Sequence, residues 1–259
     1  MIVQLVKLIA AHLLGDFMLQ SNRLSRMKYE SDKYKKISVI GLHSLIQAAL
    51  SYLFLWEWHL WIVPLVIFVS HFIIDYLKVL IVKKQELISF VVDQLLHYCV
   101  IVILWWLVFV KNGYCHLENQ DTIVFWLIFT SYILILSPSS ILIKSFMDYE
   151  KWTPSAETDN TRIYDNTENV PERLNQYKGL PNAGKWIGYI ERILILTFIF
   201  TGNIEGVGFL LAAKSVFRFG ELNKAQDIKV TEYVLIGTFA SFCIAIIIGF
   251  LAKWLIENI

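Results

Sequence analysis

The sequence predicts an all-α protein, a polytopic transmembrane helix bundle of about eight spanning helices with the N-terminus and C-terminus outside. Three observations predict it. Of 259 residues, 56% are hydrophobic and 17% charged, against about a quarter charged in soluble domains, and the mean hydropathy is +0.55. The apolar residues fall in runs of about 20, enough to cross about 30 Å of hydrocarbon as helices. Lysine and arginine crowd alternate connections between the runs, as cytoplasmic loops do.

The first run, 2–20, is apolar from Met1 but lacks a basic leader and a small-residue cleavage site, so it reads as a retained helix. The 21–37 connection is basic, with Arg23, Arg26, Lys28, Lys33, Lys35 and Lys36. Helices at 38–57 and 60–82 meet at Trp56, Trp58 and Trp61, an aromatic belt at one interface. Lys83 and Lys84 precede the fourth helix, 88–110, which carries Trp105 and Trp106 near its far end. Pro138 interrupts the fifth, 122–147, and predicts a kink or an early end. The 148–185 segment, rich in Asp, Glu, Asn, Thr and Pro, reads as a solvated cytoplasmic connector. It separates a five-helix membrane domain, 1–147, from a three-helix segment, 186–259, with runs at 186–202, 204–220 and 231–256.

The net charge of +1 and the lack of a basic stripe interleaved with aromatics argue against a nucleic-acid partner. Cys99, Cys115 and Cys243 have neither metal-ligand spacing nor a disulfide framework. His59, His116, Glu57 and Glu118 fall in outward loops and read as ordinary interfacial residues.

Chemistry concentrates elsewhere. His12 and Asp16, His71 and Asp75, and Asp93 and His97 are pairs four residues apart, joined by a lone His43. Four-residue spacing puts both members on one helix face. An ionisable group in hydrocarbon costs about 2.5 kcal/mol or more, so each needs a partner or a purpose. Counted along the helices, all seven lie in the cytoplasmic half of the bilayer, a coincidence of depth that points to one site. Neutral imidazole with carboxylate suits zinc, manganese or iron, as one or two divalent ions. His12, His43, His71, Asp75 and His97 are the expected ligands, Asp16 and Asp93 the expected bases, and Gln20, Lys78 and Gln94 the supporting or substrate-contacting groups. A purely structural network, for example a His12–Asp93 pair, is the alternative. A second polar group, Glu191, Arg192, Lys214 and Arg218 with Glu232, either binds an anionic headgroup or pairs internally at helix ends.

The runs His12-Leu13-Leu14-Gly15-Asp16-Phe17 with Gln20, His71-Phe72-Ile73-Ile74-Asp75 with Lys78, and Asp93-Gln94-Leu95-Leu96-His97, together with His43, resemble a bacterial membrane family known as domain of unknown function 3307. The resemblance covers about 1–110. The stretch Gly184-Lys185-Trp186-Ile187-Gly188-Tyr189-Ile190-Glu191-Arg192, with Lys214 and Arg218, is similar to the C-terminal part of longer members. It implies a multi-pass protein of the bacterial inner membrane and supplies no reaction. Metal-dependent membrane hydrolases and zinc ceramidase-like proteins are similar only in ligand types.

The leading expectation is a metal-dependent hydrolase acting on a lipid-like substrate at the cytoplasmic leaflet. The alternatives are a metal-ion or proton transporter using the same residues, and a scaffold binding a protein partner through the 21–37 and 148–185 segments. The apolar outer halves of the second and fourth helices argue against transport.

Overall fold

In the computed structural model the described residues are 1–29, 32–81, 87–113, 119–150, 183–221 and 228–259, and none of them is in a strand. The helices are α1 (Ile2–Leu14), α2 (Asn22–Met27), α3 (Lys33–Leu55), α4 (Ile62–Ile81), α5 (Leu87–Trp105), α6 (Gln120–Ile135), α7 (Ser137–Tyr149), α8 (Ala183–Phe200), α9 (Ile204–Glu221) and α10 (Ile228–Glu257). Among the described residues, six segments are long and apolar enough to cross a membrane: Ile2–Leu19, Lys33–Leu55, Ile62–Ile81, Leu87–Lys111, Gln120–Tyr149 and Glu232–Glu257. The expected sixth and seventh spans form α8 and α9, but each carries three or more charged residues within 18. Most of 148–185, together with His116 and Glu118, lies outside the described residues.

The polarity of the molecule is inverted relative to a soluble domain. Leu45, Leu65, Leu80, Ile103 and Phe125 are exposed, while histidines, aspartates and lysines are buried. That arrangement suits hydrocarbon surroundings. Trp56, Trp58 and Trp61 are also exposed, as an interfacial belt requires.

α1 is the central helix and packs against α3, α5 and α6. Its buried Ala10 and Ala11 allow close approach, the usual device where no hydrophobic force drives helices together. After Leu14 the chain widens into a π-helical turn, Gly15–Leu19, a distortion that recurs at functional sites. Gln20 ends that turn with an extended backbone (φ −79°, ψ 99°). Gly15 is there for space: a Cβ would lie 2.5 Å from the Gln47 side chain on α3.

α3 starts at Asp32, whose carboxylate accepts from the Tyr34 and Lys35 amides. Pro138 acts as expected. α6 stops at Ile135, Leu136 leaves helical geometry (φ −81°, ψ −109°), and α7 restarts with the proline in its first turn. One apolar cluster, including Leu8, Leu55, Val63, Ile67, Leu104 and Phe109, fills one end of the α1, α3, α4 and α5 bundle. A second, Ile195, Ile199, Phe242 and Ala245, joins α8 to α10.

That second contact sets a steric requirement at Gly249, where a Cβ would meet Ile199 Cδ1 at 2.7 Å and Leu196 Cδ1 at 3.2 Å. Gly249→Val should destabilise the protein by about 1–3 kcal/mol through overpacking. Gly237→Ala, at a position with open space around it, should be neutral or slightly stabilising. Thermal unfolding in detergent compares the two.

Candidate functional site

The seven histidines and aspartates read from the sequence meet in one buried cluster at the centre of α1, α3, α4 and α5. Asp16 organises it. Its Oδ1 lies 3.1 Å from His43 Nε2 and 3.4 Å from His71 Nε2, and the two nitrogens are 3.1 Å apart. Gln47 donates to the same oxygen at 2.5 Å, and Gln94 donates to Oδ2 at 3.1 Å. His12 Nε2 is 3.8 Å from Oδ2 and 3.2 Å from Gln94 Oε1. A His12–Asp93 pair, one example of a purely structural network, does not form; His12 meets Gln94 instead, a residue later on α5.

Asp75 faces the same centre, its Oδ2 3.9 Å from His43 Nε2 and 4.0 Å from His71 Nε2. Lys28 holds that oxygen at 2.5 Å. Lys78 holds Asp93 Oδ2 at 2.7 Å. The Lys28–Asp75 pair is buried, as is Asp93, which Lys78 reaches from a part-buried position; an unpaired charge there is severely penalised.

His97 is oriented by a contact between its Nδ1 and the Asp93 backbone carbonyl at 2.8 Å. Donation from Nδ1 there leaves Nε2 with its lone pair free. That Nε2 and Asp93 Oδ1 are buried without a hydrogen-bond partner. The His97 ring lies 4.1 Å from that of His71 and 5.1 Å from that of His12, centroid to centroid. All three rings line a cavity of about 10 Å³, bounded also by Gln47, Ser51 and Ser70. It has room for roughly one water or one ion.

The donor set fits a divalent ion. Two nitrogens on one tetrahedral zinc, each at about 2.0–2.1 Å, lie roughly 3.3–3.4 Å apart. The edges among His43 Nε2, His71 Nε2 and Asp16 Oδ1 are 3.1, 3.1 and 3.4 Å. Further triads with metal-ligand spacing are His12, Asp16 and His71; His43, His71 and Asp75; and Asp75, Asp93 and His97. His71 belongs to the first two and Asp75 to the last two.

Sequence reasoning missed several members. Lys28 was counted as loop charge. Gln47 and Ser51 continue the His43 face at four-residue spacing, a legible signal. Gln4 and Lys7 are buried on α1 nearer its N-terminal end, so buried polar groups on this helix extend beyond the cluster.

The second polar group is separate in design. Lys214 pairs with Glu191 at 2.5 Å. Arg192, buried, donates to the Ile135 and Leu136 carbonyls and to Ser140 and Ser241 hydroxyls. Those carbonyls lie at the α6 break, so the guanidinium caps them. Glu232 is exposed, and the Arg218 side chain lies outside the described residues. His59 is exposed and 3.6 Å from Glu57, an interfacial pair.

Residues 4–138 match a protein family described as "Protein of unknown function (DUF3307)". No curated protein and no solved structure matches the chain.

Lys28→Met leaves the Asp75 carboxylate buried without its cation, and should destabilise the metal-free protein by about 3–5 kcal/mol. Adding Asp75→Asn to it should recover much of the loss. Chemical or thermal unfolding of both variants, in detergent with chelator, measures the difference.

Proposed function

The chain belongs to the DUF3307 family, and we propose that it is an integral membrane protein whose intramembrane His/Asp centre holds a divalent metal and hydrolyses a lipid-like substrate. The observation that carries this reading is the triangle of His43 Nε2, His71 Nε2 and Asp16 Oδ1, with edges of 3.1, 3.1 and 3.4 Å. Zinc, manganese or iron suits this ligand mixture. When bound, such an ion would polarise an ester, amide or phosphoester and lower the pKa of a water.

The residues divide the remaining tasks. Gln47 and Gln94 fix the Asp16 carboxylate in place. Asp75 supplies a fourth ligand, its Oδ2, once Lys28 releases it. Asp93 is the better general base, because Lys78 and Gln94 engage Oδ2 and leave Oδ1 free. Asp16, whose oxygens are both engaged, serves as a ligand. His12 and His97, with the ligand His71, line the one-water cavity beside the triangle. Lys28 extends from the basic 21–37 connection, and the positive-inside rule supports reading the site as facing the cytoplasm. In a bacterial cell this is the inner membrane.

A structural network is the second reading. It is favoured by the Lys28–Asp75 and Lys78–Asp93 pairs, which already satisfy two of the three carboxylates.

Metal analysis separates the two readings. Protein purified in detergent without chelator should carry about one or two equivalents of zinc, manganese or iron. The His71→Ala/His97→Ala variant should carry none. A folded wild type devoid of metal, and unable to take it up, would favour the network. Asp93→Asn should lower turnover of a lipid extract by about 10²–10⁴-fold with metal retained; unchanged turnover would remove Asp93 as base.

A further inference from the structure

A second, larger cavity of about 340 Å³ lies between α1, α5, α6, α7 and α10. Its volume falls within the range of roughly 300–1,000 Å³ typical of ligand sites. The wall is apolar almost throughout, from Leu13 on α1 and Phe17 on the π-helical turn through Phe90 on α5 to Ile244 and Ile248 on α10. Gln94 is the exception that matters. It lines this cavity, and the same side chain donates to Asp16 and faces His12 Nε2. Tyr98, also on the wall, sets its ring edge against His12 at 5.3 Å between centroids.

The lining also includes Leu142 and Ile247, both exposed on segments long and apolar enough to span. A mouth made of such residues faces hydrocarbon, so what reaches it is lipid chain. We propose that this cavity receives the hydrocarbon chain of a bilayer lipid and presents the bond at its polar end to the His/Asp centre past Gln94. The inference rests on the hydrolase reading for the role of that bond, though chain binding stands apart from metal binding. It also gives α10 a function: it closes the chain site against the family-matched helices.

Photolabelling tests it with the full chain in nanodiscs of phosphatidylethanolamine and phosphatidylglycerol. The probes are palmitic acid bearing a mid-chain diazirine and, in a second arm, phosphatidylethanolamine carrying the same chain. Peptide mass spectrometry should place label at Phe90, Tyr98 and Ile244, displaced by excess unlabelled lipid of the same kind. Label on Leu45 and Ile103 should resist displacement. Ile248→Trp should abolish the displaceable label, Ile248→Ala should keep it, and bound metal should be unchanged in both. If Ile248→Trp does not fold, Leu142→Trp at the mouth substitutes for it. The arm that labels the cavity identifies a free fatty acid or a phospholipid as the source. Label confined to exposed residues, or indifferent to the tryptophans, overturns the chain site even where metal is bound. Displaceable label in a protein that binds no metal upholds the chain site and fails the hydrolase reading alone.

Discussion

The constraint on which the structure depends is the burial of three carboxylates inside a bundle whose outside is hydrocarbon. Moving one such ion from water to a dry interior costs about 20 kcal/mol in the idealised limit and several kcal/mol after relaxation. The protein answers with two ammonium groups, Lys28 on Asp75 and Lys78 on Asp93. Asp16 has no such partner and is met by His43, His71, Gln47 and Gln94. Three carboxylates against two ammoniums leave Asp16 without an ammonium of its own. A bound cation is the direct way to complete that balance, and the ligand atoms around Asp16 Oδ1 have the separations to accept one.

Much of the local architecture serves this cluster. Gly15, in the π-helical turn after α1, lets α3 approach until Gln47 reaches Asp16 and the His12 carbonyl. The apolar cluster running from Leu8 to Phe109 closes one end of the same four helices. At the other end α2 brings Lys28 down onto Asp75. The break at Pro138 exposes the Ile135 and Leu136 carbonyls, and Arg192 from α8 caps both while reaching Ser241 on α10. One buried guanidinium thereby ties α8 and α10 to the break between α6 and α7.

The bundle and the cluster were legible in the sequence for a physical reason. In hydrocarbon an ionisable residue is conspicuous, and four-residue spacing fixes its face. Matched depth along four helices then sufficed to bring His12, Asp16, His43, His71, Asp75, Asp93 and His97 together. Lys28 was not legible, since a lysine in a basic connection looks like topogenic charge until the chain is seen to fold back. The role of Arg192 depends on which carbonyls the proline break leaves free, a tertiary fact without a local signature. Gln94 had a signature as a polar residue between Asp93 and His97. Its second face, on the apolar cavity, follows only from the placement of α10.

The most direct test of the central claim, that this cluster is a metal centre, is X-ray absorption at the zinc edge on zinc-loaded protein. The account predicts a shell of nitrogen and oxygen at about 2.0–2.1 Å, with the outer-shell scattering of at least two imidazoles, lost in His43→Ala/His71→Ala. Zinc coordinated by oxygen alone, or an imidazole signal that survives that double substitution, would contradict it.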